Sequence, residues 1–381
     1  MEIDSYLIKP QGPNCNMDCG YCFYREKSKL YPGKRTMTLE RAGDLIEQAL
    51  AGGGPVSFSW QGGEPTLAGL DFFRKVIGLQ KKYGSPGQRI TNVIQTNGIL
   101  LTEEWANFFS RYNFLVGLSL DGPEKYHNRY RTFKNGGGSF RAVMKSARLL
   151  NDSDVLVNVL AVLTEENIGE PVRLVDFFLA NGLTHLQFLP AIELREYENG
   201  ASLAPFSPSP LKVGEFLDAV FHRWIQDFPP AFRVRYFDAL LQIALGEEPD
   251  ICRLRKNAAS YLVVEHNGDV YPCDFFVLPE WKLGNVQEDG LKAVKESDKL
   301  TEFTEKKSDL PEACKHCKYL RYCRGGCPRY RNLPEGPGER SYLCYAYRYF
   351  LSRNLGKIRR LARKIKASTR GRPLRRRRPS S

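Results

Sequence analysis

Cys15-Asn-Met-Asp-Cys19-Gly-Tyr-Cys22-Phe-Tyr24 is the stretch that decides the fold. Three thiols on one short loop, spaced C-x3-C-x2-C, can hold three irons of a [4Fe–4S] cubane, for which soft thiolates are suitable ligands. No further cysteine follows until Cys252. The fourth iron would then be open to an exogenous ligand. The alternatives are a zinc site completed from a distance, or three unrelated thiols. Zinc ligands usually come as spaced pairs rather than as three thiols on one loop, which weighs against these alternatives.

Outward from the loop the chain alternates between two periods. Tyr6–Pro10 reads as a strand leading into it, and Val56–Trp60, Arg89–Gln95, Leu115–Leu120, Val155–Val162 and His185–Leu189 read as five more. Helical patterns fall between them: Thr38–Ala51 with Thr38 as N-cap, Leu70–Tyr83, one opening at Thr102, Ser139–Leu150, and Pro171–Asn181 stopped by Gly182. Six strand–helix units predict parallel strands with crossover helices. Barrel logic places chemistry at the carboxyl ends of such strands. Gly62-Gly63-Glu64-Pro65, Gln95-Thr96-Asn97-Gly98 and Ser119-Leu-Asp121-Gly122 lie at those ends. Paired glycines permit close backbone approach to a ligand, and Glu64 is an acceptor. Each motif also reads as plain turn chemistry.

The 381 residues are 42% hydrophobic and 26% charged, a soluble globular composition with room for two or three domains. No apolar run approaches the roughly 20 residues of a membrane span, and no basic-then-apolar leader opens the chain. The expectation is a cytoplasmic protein without membrane contact, whose ten cysteines are reduced and bind metal rather than pair. The net charge of +13 is concentrated: Lys357 to Arg378 holds twelve Lys and Arg and no acid, leaving 44 basic and 43 acidic residues elsewhere. Residues 351–381 are therefore expected to be a solvated, disordered basic tail, the one place for a nucleic-acid or acidic contact. Ser352–Ala367 could instead extend a basic amphipathic helix.

Seven cysteines follow residue 250: Cys252-x15-Gly268-x4-Cys273, then Cys314-x2-Cys317-x5-Cys323-x3-Cys327, then Cys344. Taken alone, the C-x2-C-x5-C core is equally a zinc knuckle.

The first motif, with Tyr21 before its last cysteine, resembles that of the radical S-adenosylmethionine (SAM) enzymes. This resemblance implies an α/β fold with a partial (βα)6 TIM-like barrel over residues 1–200. It implies a cluster on Cys15, Cys19 and Cys22 whose open iron chelates SAM, and a 5′-deoxyadenosyl radical that abstracts hydrogen. It also implies cofactor contacts from Tyr21, from Gly63 and Glu64 to the SAM amino group, from Ser119 and Arg131 to its ribose and carboxylate, and from Ile192 near adenine. The second group resembles the SPASM extension, expected over 251–350 after a helical linker region at 201–250. That implies two auxiliary iron–sulfur clusters: a distal one on Cys314, Cys317, Cys323 and Cys344, and a nearer one on Cys252, Cys273 and Cys327.

Among SPASM proteins the likeness is to the anaerobic sulfatase-maturating enzymes. It is carried by Tyr24, Trp60-Gln61-Gly-Gly-Glu-Pro65, Ser119-Leu-Asp-Gly-Pro123, His127-Asn-Arg-Tyr-Arg131 and Tyr271-Pro-Cys-Asp274. The implied reaction oxidises a sulfatase Cys or Ser to formylglycine (3-oxoalanine), with Asp274 as base. The implied partners are a sulfatase or another peptide and an electron donor such as flavodoxin or ferredoxin. One departure stands out. Where the family usually has an eighth auxiliary cysteine, this chain has Ala258. The nearer cluster would have three thiolates, which leaves four outcomes: an open iron, a non-cysteine ligand, a [2Fe–2S] centre or a poorly retained cluster. Two other readings are a maturase forming thioether or carbon–carbon crosslinks in a ribosomally made peptide, and a zinc-dependent nucleic-acid binder.

Overall fold

The computed structural model describes residues 3–370 apart from 34, 198–199, 227–229 and 259; the Arg375–Arg378 run lies outside the described residues. The chain forms β1 (Ser5–Ile8), α1 (Leu39–Leu50), β2 (Val56–Trp60), α2 (Leu70–Tyr83), β3 (Ile90–Thr96), α3 (Glu103–Arg111), β4 (Leu115–Ser119), α4 (Glu124–Tyr130), α5 (Phe140–Asp152), β5 (Leu156–Leu163), α6 (Pro171–Ala180) and β6 (His185–Pro190). These six strands pair in parallel in chain order, as crossover helices demand. Local chemistry sets the helix limits. Thr38 caps α1 by accepting from the Arg41 N–H, and Gly182 (φ +73°) breaks the chain after α6. Ala42, Leu45, Ile46, Ala49 and Leu50 recur at helical spacing and bury the inner face of α1.

The sheet extends past the barrel at both edges. A hairpin of β7 (Leu194–Tyr197) and β8 (Gly200–Leu203) leads to α7 (Pro210–Trp224), β9 (Arg233–Val234) and α8 (Arg235–Leu245). Strand β9 pairs with β6, so the region expected to be a helical linker also supplies a sheet edge. At the other edge, β10 (Leu262–Val264) pairs in parallel with β1, followed by β11 (Asp269–Tyr271) and β12 (Gly284–Asn285). One ten-stranded sheet results, ordered β12-β11-β10-β1-β2-β3-β4-β5-β6-β9. The cysteine-rich region is thus continuous with the barrel sheet.

Short helices α9 (Gly290–Lys295), α10 (Asp298–Ser308), α11 (Glu312–Lys315) and α12 (Leu320–Cys323) precede a long α13 (Cys344–Arg370). This last helix corrects the expectation of a disordered tail from residue 351. Ala346, Phe350, Leu351, Ile358, Leu361 and Ala362 are buried along it, against α7 and α8. The Phe350 ring lies 5.5 Å from that of Phe221 and 5.6 Å from that of Phe237. The basic side chains occupy the opposite face: Arg353, Arg359, Arg360, Arg363 and Lys364 are exposed. Among the described residues no helix is long and apolar enough to cross a membrane.

If α13 is a packed helix, Ile358→Ala should destabilise the protein by about 2–4 kcal/mol. Arg360→Ala, on the exposed face, should change stability by no more than about 0.5 kcal/mol. Chemical denaturation of both variants checks this; equal, negligible effects would return the segment to a solvated tail.

Candidate functional site

Beyond β1, Lys9–Asn14 turn the chain into the cysteine loop, which neighbouring strand ends hold on two sides. The Asp18 and Gly20 N–H groups donate to the carbonyls of Thr132 and Tyr130, both at 2.9 Å. On the other side the Gly63 N–H donates to Gly12 O (2.7 Å) and the Glu64 N–H to Asn14 O (2.8 Å). A Cβ on Gly63 would lie 1.8 Å from Asn14 O. The approach of the cysteine loop by itself therefore requires glycine at this position. Glu64 is 1% exposed, and both its oxygens are engaged. Oε1 accepts from the Thr66 N–H (3.0 Å), Thr66 Oγ1 (2.5 Å) and Thr96 Oγ1 (2.7 Å), and Oε2 from the Asn97 N–H (2.8 Å). Asn97 in turn donates to Asn16 Oδ1 within the loop (2.7 Å). Glu64 thus ties the ends of β2 and β3 to the cysteines.

Tyr21 and Arg131 meet at Asp121, just past β4. Asp121 Oδ2 accepts from Tyr21 Oη and lies 3.1 Å from Arg131 Nε, while Oδ1 accepts from the Val162 N–H (2.9 Å). All three side chains are buried. His127 fixes their backbone. Its Nδ1 accepts from the Asp121 N–H (3.3 Å), which puts the ring proton on Nε2, 2.9 Å from Ser139 Oγ; that hydroxyl donates to Arg131 O (2.8 Å). Burial lowers the His127 pKa to about 4. Ser119 ends β4 and accepts from Gln95 Nε2 (3.0 Å). Ile192, just past β6, is 2% exposed in the apolar core.

Asp274 opens a short turn after β11 and reaches back to the barrel. Its carboxylate accepts from Lys9 Nζ and from Gln61 Nε2 (3.2 Å). The fully buried Lys9 ammonium also lies 4.2 Å from the centre of the Tyr24 ring, whose hydroxyl donates to buried Glu265.

All ten thiols are free. Burial pushes Cys15 up to about 11 and Cys19 up to about 12. Buried thiols of this kind become thiolates only against a strong counter-charge such as iron. Cys314, Cys317, Cys323 and Cys344 line one cavity together with Arg340 and Arg348. Cys252, Cys273 and Cys327 share a second neighbourhood, close enough that each ionised thiol would disfavour ionisation of Cys273 or Cys327. Ala258 and Cys273 both pack against the apolar core around β1 and β10, and Tyr261 Oη lies 3.8 Å from Cys273 Sγ. Among the described residues no three His, Cys, Asp or Glu side chains converge at single-ion spacing. Thiolates are the soft donors that iron–sulfur clusters take.

Residues 10–178 match the model of the radical SAM superfamily, and residues 252–318 that of an iron–sulfur cluster-binding domain. The chain is 39% identical over 365 residues to the serine-type anaerobic sulfatase-maturating enzyme of Bacteroides thetaiotaomicron, covering 90% of this chain and 88% of that one. It is 38% identical over 371 residues to the cysteine-type enzyme of Clostridium perfringens, covering 95% and 99%. This chain belongs to the anaerobic sulfatase-maturating enzymes. Its fold matches native anSMEcpe with bound AdoMet at a TM-score of 0.86 and 36% identity, covering 95% of this chain and 100% of that one. The same protein with AdoMet and the Cp18Cys peptide gives 0.87. This sulfatase-maturating enzyme is accordingly a radical SAM enzyme that uses SAM and iron–sulfur clusters and acts on a peptide, which sets aside the zinc-dependent nucleic-acid reading.

Sequence reading placed Asp121, His127 and Gln61 within motifs without assigning them tasks, and read Lys9 only as part of a strand. Ser139 and Glu265 carried no signal of their own. The partner of Glu265, Tyr24, lies 241 residues away along the chain, and that of Lys9, Asp274, 265.

Two outcomes follow from this geometry. Gly63→Ala should displace the cysteine loop and lower the iron retained by that loop, read as iron and sulfide per chain with the auxiliary content unchanged. For His127 the neutral ring is the folded form. Its contribution to stability is intact above pH 6.5 and is lost as pH falls towards 4. Between those limits it removes about 3 kcal/mol at roughly 1.4 kcal/mol per pKa unit. Denaturation midpoints of wild type and His127→Gln measured across pH 7 to 4 should converge on acidification.

Proposed function

We propose that this enzyme oxidises a Cys or Ser of a sulfatase polypeptide to formylglycine. The observation that carries the reading is the buried Asp274, placed beside Cys273 and aimed at the barrel by Lys9 and Gln61. Cys15, Cys19 and Cys22 would hold the SAM-binding [4Fe–4S] cluster, and the seven later cysteines the auxiliary ones. When bound, these groups supply a hydrogen-abstracting radical and a route for the second electron.

The chain's own residues do the rest. Asp274 takes the proton of the substrate thiol or hydroxyl. Oδ1 holds the Lys9 bond and Oδ2 the Gln61 bond, and each carboxylate oxygen has a second lone pair for a substrate proton. Lys9 and Gln61 fix the direction of that acceptor. Tyr21, Asp121 and Arg131 form a rigid wall beside Cys19 at the end of β4, with Ser119 next to it and Ile192 past β6; we assign this wall to SAM. Because Glu64 already accepts four hydrogen bonds, we assign any contact to the SAM amino group to the backbone of the Gly62–Glu64 turn, with Glu64 shaping it. The external electron donor would be a flavodoxin or ferredoxin in the reducing cytoplasm, where ten free thiols are stable.

The test is anaerobic reconstitution with iron, sulfide, SAM and reductant, using paired peptides containing Cys-x-Pro-x-Arg and Ser-x-Pro-x-Arg. Mass spectrometry follows aldehyde and 5′-deoxyadenosine. Wild type should form both products. Asp274→Asn should lower aldehyde formation at least a hundredfold, the low end of general-base effects, while 5′-deoxyadenosine persists. Deoxyadenosine from wild type with neither peptide altered would redirect the assignment to a different peptide substrate.

A further inference from the structure

Lys307, in the last turn of α10, is a buried cation that the reaction described above does not use. It is 1% exposed. Its ammonium donates to three backbone carbonyls: Arg253 O (3.1 Å), Arg324 O (2.6 Å) and Gly326 O. Among the described residues it forms no ion pair with a carboxylate, unlike the buried Lys9 and Arg131. A buried charge without a counter-charge is costly, and carbonyl dipoles offset only part of that cost.

The three carbonyls identify the missing anions. Arg253 follows Cys252, Arg324 follows Cys323, and Gly326 precedes Cys327. Cys252 and Cys327 belong to the nearer thiol group and Cys323 to the distal cavity. The loop between Cys323 and Cys327 is folded around the ammonium: Arg324, Gly325 and Gly326 have φ of +50°, +71° and +68°. A left-handed arginine is strained backbone, tolerated where its surroundings require it. Burial works against the lysine's charge, as does Arg331, whereas thiolates at Cys327, Cys323 and Cys252 favour it. The helix end that carries Lys307 is held in turn by Arg331, which donates to the carbonyls of Lys306 (3.0 Å), Lys307 (3.1 Å) and Asp309 (2.7 Å).

We propose that Lys307 is a positioning residue shared by both auxiliary clusters. Its single ammonium fixes two ligand loops of the nearer cluster and one of the distal cluster, and its charge raises the reduction potential of both. The inference rests on the assignment of these seven cysteines as cluster ligands. A positive charge close to both centres favours the added electron on either, since net charge and hydrogen bonding set cluster potentials. One side chain would then keep the two potentials in step for passing an electron between them.

The experiment is an anaerobic redox titration of the full-length, reconstituted enzyme, followed by electron paramagnetic resonance, with iron and sulfide measured per chain. Lys307→Met removes the charge at similar volume, and Lys307→Arg retains it. In Lys307→Met both auxiliary midpoints should fall, with at least a tenfold change in each reduction equilibrium, about 59 mV for one electron. The midpoint of the SAM-binding cluster should not move, and Lys307→Arg should restore values near wild type. Loss of auxiliary iron from Lys307→Met alone, with retention in Lys307→Arg, also supports the role. Unmoved midpoints at full iron loading, a shift of only one auxiliary centre, or equal iron loss from both variants would overturn it. Wild type that binds only one cluster would instead refute the ligand assignment, leaving the two failures distinct.

Discussion

The enzyme depends on the seam between β1 and β10. Lys9 emerges from β1 with no exposure to solvent, and its backbone N–H donates to Val264 O (2.9 Å). A buried ammonium must be paired. The anion comes from the second region, as Asp274, and the aromatic face from the cysteine loop, as Tyr24. Three distant segments therefore fold consistently only when β10 docks in register against β1, Ile8 opposite Val264. Removing either charge would strand the other in the interior. The same pair aims the carboxylate that we assign as base, so folding and catalysis make one demand on these residues.

A second constraint is close packing around the first three cysteines. The loop is too short to have a core of its own. It takes its shape from backbone hydrogen bonds to Gly63, Glu64, Tyr130 and Thr132. Those anchors are held by two buried carboxylates, Glu64 and Asp121, each satisfied by several donors. Such networks define geometry when every member is paired. The cysteine loop is thereby held at the ends of β2, β3 and β4, while the apolar strand interiors supply the stability.

The barrel is legible in the sequence because its strands are four to eight residues long, alternate in pattern, and are separated by amphipathic helices. Helix α2 falls at the limits its periodicity predicts. The outer strands β9 to β12 are two or three residues long, too short to show any period. The Gly62-Gly63 pair is conspicuous, yet only the fold reveals that its neighbour is the Asn14 carbonyl. In α13 the block of positive charge masks Leu351, Ile358 and Leu361, whose spacing matches a helical face. The cysteine spacings expose the thiol groups directly. Lys9, His127 and Lys307 are silent because a single basic residue carries no pattern, and its meaning lies in partners brought together by topology.

Charge matching in the interior separates these basic residues and Arg131. Lys9 has Asp274, and Arg131 has Asp121. His127 avoids the problem by remaining neutral, with both ring nitrogens bonded. Lys307 has only carbonyl oxygens. Proteins rarely bury an ammonium on dipoles alone, and here each dipole belongs to a residue next to a cysteine. With cysteines protonated the site would be over-positive, since Arg331 also acts against the lysine's charge. With thiolates bound to iron, the cation lies between two anionic centres. On the proposed assignment, the charge of Lys307 is matched only when the clusters are bound, whereas those of Lys9 and Arg131 are matched by side-chain carboxylates.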